Sequence, residues 1–173
     1  GALQKLKEQG KIRAIGVSNF SQQQLQEADR DGHVDAIQNL YNLFQREPEQ
    51  TMLPFCKGRE ISFIPYFPLC AGLLGGKYTA DMTFTDFRAE DPLFVGEAYR
   101  ENLARVDALR PLAADHGVEV AHIALAWCLS RPAIDMLIPG AKSRAQLESN
   151  LRAADVRLSE TELETIDAIF GRS

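Results

Sequence analysis

Four short apolar runs rich in β-branched residues recur along the chain: IRAIGV (12–17), VDAIQ (34–38), ISFIPY (61–66) and IDMLI (134–138). Runs this short suit strands, and their nearly unbroken apolar character suits strands covered on both faces. Helical patterns lie between them. Leu3 and Leu6 belong to one that ends at Gly10, Leu25 and Ala28 to a second, and Met52, Phe55 and Cys56 to a third that follows Pro48. A longer insert precedes Val120, Ile123, Ala124, Trp127 and Cys128, whose helical spacing makes one apolar stripe. Two more helices close the chain. One carries Leu147 and Leu151; the other carries Leu163, Ile166 and Phe170 and is entered through the capping box SETE at Ser159 to Glu162. An alternating βα order requires parallel strands with crossover helices, so the expected fold is α/β with about four parallel strands and flanking helices.

A chain of 173 residues, 45% of them hydrophobic, can bury one sizeable core, and residues 1–173 are read as a single domain. Net charge is -5 with no basic block, which argues against nucleic-acid and membrane partners and requires any bound anion to be held locally. Cys56, Cys70 and Cys128 lack metal-ligand spacing and read as buried reduced thiols, which fits a cytoplasmic location. No apolar run approaches the ~18 residues of a membrane span. The first residue is Gly1, inside a helical pattern already under way, so the chain reads as a piece of something longer.

In parallel α/β folds the binding groups gather where strands end and loops begin. The first strand end supplies Ser18 and Asn19, the second Gln38, and the third Tyr66 followed by Gly72, Gly75, Gly76 and Lys77. The fourth opens into LIPGAKSRAQLESN (137–150). Amide side chains offer both donor and acceptor, matching a carboxamide such as that of nicotinamide, and an aromatic face can stack on a planar ring. Glycines let backbone N–H groups approach a pyrophosphate, and a lysine balances its charge. Together these features point to a dinucleotide.

The blocks KLKEQGKIRAIGVSNFS, IQNLYNLFQRE, IPYFPLCAGLLGGKY, VAHIALAWCLS and IPGAKSRAQLESNLRAAD resemble, in order and separation, the second half of an aldo-keto reductase. The resemblance covers nearly the whole chain. It implies the C-terminal half of a TIM-type (β/α)8 barrel, an NADP(H) cofactor and reduction of aldehydes or ketones. It implies further that Ser18, Asn19 and Gln38 hold the nicotinamide carboxamide and that Tyr66 stacks on its ring. Pro68, Leu69, Gly72, Leu73, Gly75 and Lys77 would lie along the pyrophosphate, and Gly140, Lys142, Gln146 and Asn150 would surround the adenosine and its 2'-phosphate.

Each assignment has a structural rival. Ser21 with Gln24 and Ser143 with Gln146 satisfy a capping box and could simply start helices. Asn19 and Gln38 could be ordinary polar strand ends, Tyr66 core, Gly140 a turn, and Lys77, Arg88 and Arg144 solvated surface charges. His33, His116 and His122 show no metal-ligand spacing and no obvious carboxylate partner, so surface or core roles are expected and no metal site. Two positions depart from the family pattern. Phe67 stands where many relatives have Ser, which removes a hydroxyl from the pyrophosphate region. Ser149 stands where a Glu or Gln is usual and is too short to bridge to a ribose or purine, so weaker cofactor binding is expected.

The family's catalytic Asp, Tyr, Lys and His belong to the first half of the barrel, and no matching segment is found in this sequence. Two expectations follow. In the first, the chain is the cofactor-binding half of an NADP-dependent carbonyl oxidoreductase, without catalytic residues of its own and inactive alone; its partner in the complete barrel would be a small carbonyl substrate. The second is a non-catalytic nucleotide-binding or regulatory module, which would cover its open sheet edges by self-association.

Overall fold

The computed structural model describes residues 1–30 and 32–171. They fall into two compact units: Gly1–Pro68 with Cys128–Ile138, and Leu69–Trp127 with the segment from Pro139 onward.

The first unit runs α1 (Ala2–Glu8), β1 (Gly16–Ser18), α2 (Gln22–Arg30), β2 (Ala36–Leu40), α3 (Met52–Gly58) and β3 (Ser62–Tyr66). The strands form one parallel sheet in the order β1-β2-β3. Its interior is built from the apolar runs seen in the sequence, with Ile37, Ile61 and Phe63 almost wholly buried alongside Leu25 from α2 and Cys56 from α3. α2 starts through the Ser21–Gln24 box: Ser21 Oγ accepts the Gln24 N–H at 3.2 Å, and Gln24 Oε1 accepts the Ser21 N–H at 2.8 Å. α1 buries no residue. It is tied to the sheet by Lys7, whose ammonium lies 2.7 Å from Asp35, while the same carboxylate accepts the Ile15 N–H at 2.7 Å. Partial burial pushes the Asp35 carboxyl up, but the Lys7 hydrogen bond, the Ile15 N–H and the Lys7 charge outweigh it and hold the pKa below the usual value.

The expected fourth strand over 134–138 is not formed; what remains is a single parallel bridge between Tyr66 and Ile138. Pro65 explains the loss. Phe63 donates its N–H to Ala133 O at 2.6 Å, and the next donor facing the same way along β3 would be residue 65. Proline has no N–H, so the ladder misses a rung and resumes only where Ile138 N–H reaches Pro65 O at 3.4 Å. Ala133, in the left-handed region at φ 67, further bends the run.

The second unit holds α4 (Gly96–Asp107), α5 (Arg110–Asp115), all but the last two residues of α6 (Val120–Leu129), α7 (Arg144–Leu151) and α8 (Glu160–Phe170). The insert before α4 packs Tyr78, Phe84 and Phe94 ring against ring with Tyr99 of α4, with centroids 5.3 to 6.5 Å apart. α6 carries more than the apolar stripe read from its spacing: Val120 to Cys128 are all buried, Ala121, His122, Leu125 and Ala126 included. Trp127 Nε1–H donates to Asp167 Oδ1 on α8 at 3.1 Å, so the buried indole keeps a partner. The capping box at Ser159 and Glu162 is complete.

The histidines depart from expectation, because two of them do have carboxylate partners. His116 Nε2 lies 2.7 Å from Glu162 Oε1, and His33 Nδ1 lies 3.3 Å from Asp29 Oδ1. The Ser159 N–H and hydroxyl together with His116 pull the Glu162 carboxyl down to about 2. The three cysteines are buried and free, and burial raises their thiols to about 11 for Cys56 and about 12 for Cys70 and Cys128. Among the described residues no cluster of His, Cys, Asp or Glu could hold a metal, and no helix is long and apolar enough to cross a membrane.

Candidate functional site

The strand ends of the first unit bring Ser18 and Asn19 to the backbone carbonyl of Gln38 and the side chains of Asn19 and Tyr66 to one another. Register sets Ser18 opposite Gln38 and Leu40 opposite Tyr66, so β1, β2 and β3 end within reach of one another. Ser18 donates its hydroxyl to Gln38 O at 2.9 Å, and the Asn19 N–H bonds to the same oxygen at 3.1 Å. Asn19 takes the left-handed conformation at φ 57, which its short polar side chain tolerates better than most residues do. That turn presents its amide to Tyr66, whose hydroxyl donates to Asn19 Oδ1 at 2.8 Å. Asn19 Nδ2 is thereby oriented as a donor and the Tyr66 ring is pinned at its tip. Phe67 follows in the left-handed region at φ 52, half exposed, with its ring edge-on to Tyr66 at 5.7 Å. Pro68 is buried.

The second unit contains a cavity of about 450 Å³ lined by Leu69, Gly72, Gly75, Lys77, Gly140, Gln146 and Asn150, all singled out in the sequence. The same walls include Tyr78, Glu119, Ala121, Ala145 and Ser149. Tyr78 and Ala121 stand inside blocks that carried the family resemblance, yet nothing in their own identity marked them. Two expected residues are missing from the walls. Leu73 is fully buried in the core, so its side chain cannot lie along a ligand, and Lys142 stands outside the lining with its backbone N–H donated to Gln146 Oε1 at 2.6 Å.

The glycines separate into different roles. Gly72 sits at φ 94, and a Cβ there would lie 2.5 Å from the Tyr78 hydroxyl, so the space it leaves is filled by Tyr78 and not held open. Its N–H is committed to Leu69 O at 2.9 Å. Gly75 has nothing within 4 Å of its Cβ direction, so no neighbour fills the space a side chain would take there. The loop itself is held by Arg88, whose guanidinium packs 4.3 Å over Phe84, bonds Asp86 at 2.7 Å and also engages the Tyr78 hydroxyl; Tyr78 in turn donates to Ala71 O at 2.8 Å. Arg88 is thus a structural clamp and not the solvated charge the sequence allowed. Lys77 and Arg144 remain exposed, paired with Glu119 at 3.4 Å and Glu148 at 2.7 Å.

On the other wall, α7 starts through Ser143, whose hydroxyl accepts the Gln146 N–H at 3.2 Å. The expected box is not closed, because Gln146 Oε1 accepts from Lys142 N–H and not from the Ser143 N–H, while Gln146 also lines the cavity. Asn150 Nδ2 reaches Gly140 O at 3.4 Å and ties the Pro-Gly hinge to the helix one turn beyond Gln146.

The aldo/keto reductase family model matches residues 1–170. The chain is 38% identical over 171 residues to aldo-keto reductase YhdN of Bacillus subtilis, covering 97% of this chain and 52% of that protein. It is 32% identical over 160 residues to the NADH-specific methylglyoxal reductase of Escherichia coli, covering 92% of this chain and 49% of that one. The solved structure of the glycerol dehydrogenase AKR11B4 from Gluconobacter oxydans matches with a TM-score of 0.92 at 35% identity, over 96% of this chain and 51% of that chain. The chain belongs to the aldo/keto reductase family, and it spans about half the length of these relatives.

Proposed function

We propose that residues 1–173 form the cofactor-binding half, C-terminal in a (β/α)8 barrel, of a nicotinamide-dependent oxidoreductase acting on aldehydes or ketones. The observation that carries this reading is the cavity of the second unit, where seven residues chosen from sequence, drawn from two distant segments, line one space with amides, glycines and a lysine. Pockets of a few hundred Å³ with a few placed polar groups suit a small ligand. Gly75, whose Cβ side is unobstructed, and the donors of Asn150 and Lys77 fit the pyrophosphate and adenosine of a dinucleotide. In the first unit, Asn19 and Gln38 fit the carboxamide, and the tethered Tyr66 ring fits the flat nicotinamide. When bound, the nicotinamide supplies hydride to a carbonyl carbon.

NADP(H) is the proposed form of the cofactor. Lys142 and Arg144 flank the first turn of α7, where backbone N–H groups and the helix dipole favour an anion such as a 2'-phosphate. Relatives differ on this point, since one is named as NADH-specific. Lys142→Ala, compared with its parent by calorimetry, is expected to weaken NADPH about three- to tenfold, as for loss of one charge-assisted contact, and to leave NADH unchanged; an unaltered NADPH-to-NADH ratio would remove Lys142 from the site.

The chain is proposed to lack the proton donor that carbonyl reduction needs. Each tyrosine hydroxyl already has a partner: Tyr41 with Glu49, Tyr66 with Asn19, Tyr78 with Ala71 O, and Tyr99 with Thr79 O. Burial, reinforced by Glu49, pushes the Tyr41 hydroxyl far above its ordinary pKa and makes it a poor acid. A second reading, a self-associating nucleotide-binding module, is favoured by the half-exposed Met136 and Ile138 in the run beyond the β3 edge. Sedimentation of the chain separates the two, a dimer favouring the second.

A further inference from the structure

Ser149 lines the second unit's cavity, and its hydroxyl is held from behind by a buried histidine. His122 is 1% exposed and sits at the third position of α6. There it does what Glu or Gln does in a capping box, since its Nδ1 lies 3.1 Å from the Glu119 N–H at the helix start. A backbone N–H can only donate, so Nδ1 must be the bare, accepting nitrogen, and in the neutral ring the proton is fixed on Nε2. Nε2 lies 2.9 Å from Ser149 Oγ, and that bond therefore runs from histidine to serine. The serine hydrogen is left to point elsewhere. A serine inside a helix commonly donates back to the carbonyl four residues earlier, as Thr165 does to Thr161 O at 2.8 Å. Among the described residues Ser149 makes no such bond to Ala145 O.

We infer that the His122–Ser149 pair is a specificity element of this cavity, in which His122 sets the polarity and Ser149 donates its hydroxyl hydrogen to an acceptor atom of the ligand. The inference rests on the reading of the cavity as the adenosine-phosphate end of the cofactor site. It also revises the expectation that a serine here is too short to matter: it stands beside Asn150, on the wall already assigned to adenosine. The acceptor is a phosphoryl oxygen or a purine ring nitrogen, both of which lack hydrogen at the contact. Ser149 contacts the ligand in this account, and His122 is a positioning residue.

The test uses the full chain with adenosine 2',5'-bisphosphate and adenosine 5'-monophosphate as probes, measured by calorimetry. Ser149→Ala should weaken the bisphosphate about three- to tenfold, the span expected for one hydrogen bond, and Ser149→Thr, which keeps the hydroxyl, should restore it. A loss confined to the bisphosphate assigns the acceptor to the 2'-phosphate; an equal loss with both probes assigns it to the shared adenosine monophosphate. His122→Gln keeps an acceptor for Glu119 and a donor for Ser149 and should bind as the parent does. His122→Glu accepts from both, turns the serine hydrogen away from the cavity and should mimic Ser149→Ala. Nitrogen NMR of the imidazole gives an independent readout: Nε2 should carry the proton, and its signal should move on ligand addition in the parent but not in Ser149→Ala. Tight bisphosphate binding by the parent with no change in Ser149→Ala, or a proton found on Nδ1, overturns the inference alone. Failure of the parent to bind either probe overturns the reading of the cavity, and the inference with it.

Discussion

The two units build their candidate binding groups by different means. In the first, parallel register does the work: once Ser18 is opposite Gln38 and Leu40 opposite Tyr66, the strand ends must lie side by side, and three hydrogen bonds lock Ser18, Asn19 and Tyr66 in place. In the second, among the described residues, no strand contributes. The cavity is shaped by a loop with consecutive positive φ values at Cys70, Ala71 and Gly72, and by the capped start of α7. A sheet places side chains through backbone bonds that every residue but proline can make, whereas a strained loop needs particular side chains to hold it. Substitutions in this loop should therefore damage structure and binding together, while those at the strand ends should separate them.

The largest expected effect is at Gly72. Gly72→Ala must place a Cβ against the Tyr78 hydroxyl at a backbone angle that side chains rarely adopt. It should cost about 1–3 kcal/mol of stability, seen as a lowered melting temperature, together with loss of adenosine bisphosphate binding. A variant that melts like its parent would show that the loop is not held as described. Tyr66→Phe should do less and do it selectively. It removes one hydrogen bond to Asn19, worth about 0.5–1.5 kcal/mol, and should weaken a dinucleotide while leaving adenosine bisphosphate unaffected. Equal weakening of both ligands would erase the distinction between the two units.

The smallest effect is a pH dependence confined to the second unit. The Glu162 carboxyl is held at about 2 by Ser159 and His116, below its ordinary value. A depressed carboxyl stabilises the folded state fully above its unfolded pKa of ~4.3, and that contribution is lost as pH falls through about 2. Glu162→Gln should flatten the acid limb of a melting-temperature profile between these values and leave the neutral region nearly unchanged. An unaltered acid limb would remove Glu162 from the account of acid stability.

Legibility in the sequence follows the same division. β2 and β3 were readable because β-branched runs bounded by polar residues mark strands, whereas the run read over 12–17 pairs only over Gly16–Ser18, none of it buried, and β2 continues past Gln38 to Leu40. The fourth run carried the same pattern but not its ladder, since the deciding feature was the missing N–H of Pro65 on its neighbour. Local caps were readable at Ser21, Ser143 and Ser159 because all their atoms lie within one helical turn. The pairs His116–Glu162, His122–Ser149 and Gly72–Tyr78 were not, because they join side chains that only the tertiary fold brings together. The side chain of Leu73 is absorbed by the core, which leaves only its backbone for the loop contact read from the sequence.

The central claim is that this chain binds a nicotinamide cofactor without the acid needed to reduce a carbonyl. The direct measurement is NADPH oxidation by residues 1–173 over a panel of aldehydes, first alone and then with a separately expressed first half from a relative. The expected result is cofactor binding without turnover by the lone chain, and turnover only after the addition. Turnover by the lone chain that disappears in Tyr41→Phe, Tyr66→Phe, Tyr78→Phe or Tyr99→Phe would contradict the account, because it would place the catalytic acid within these residues.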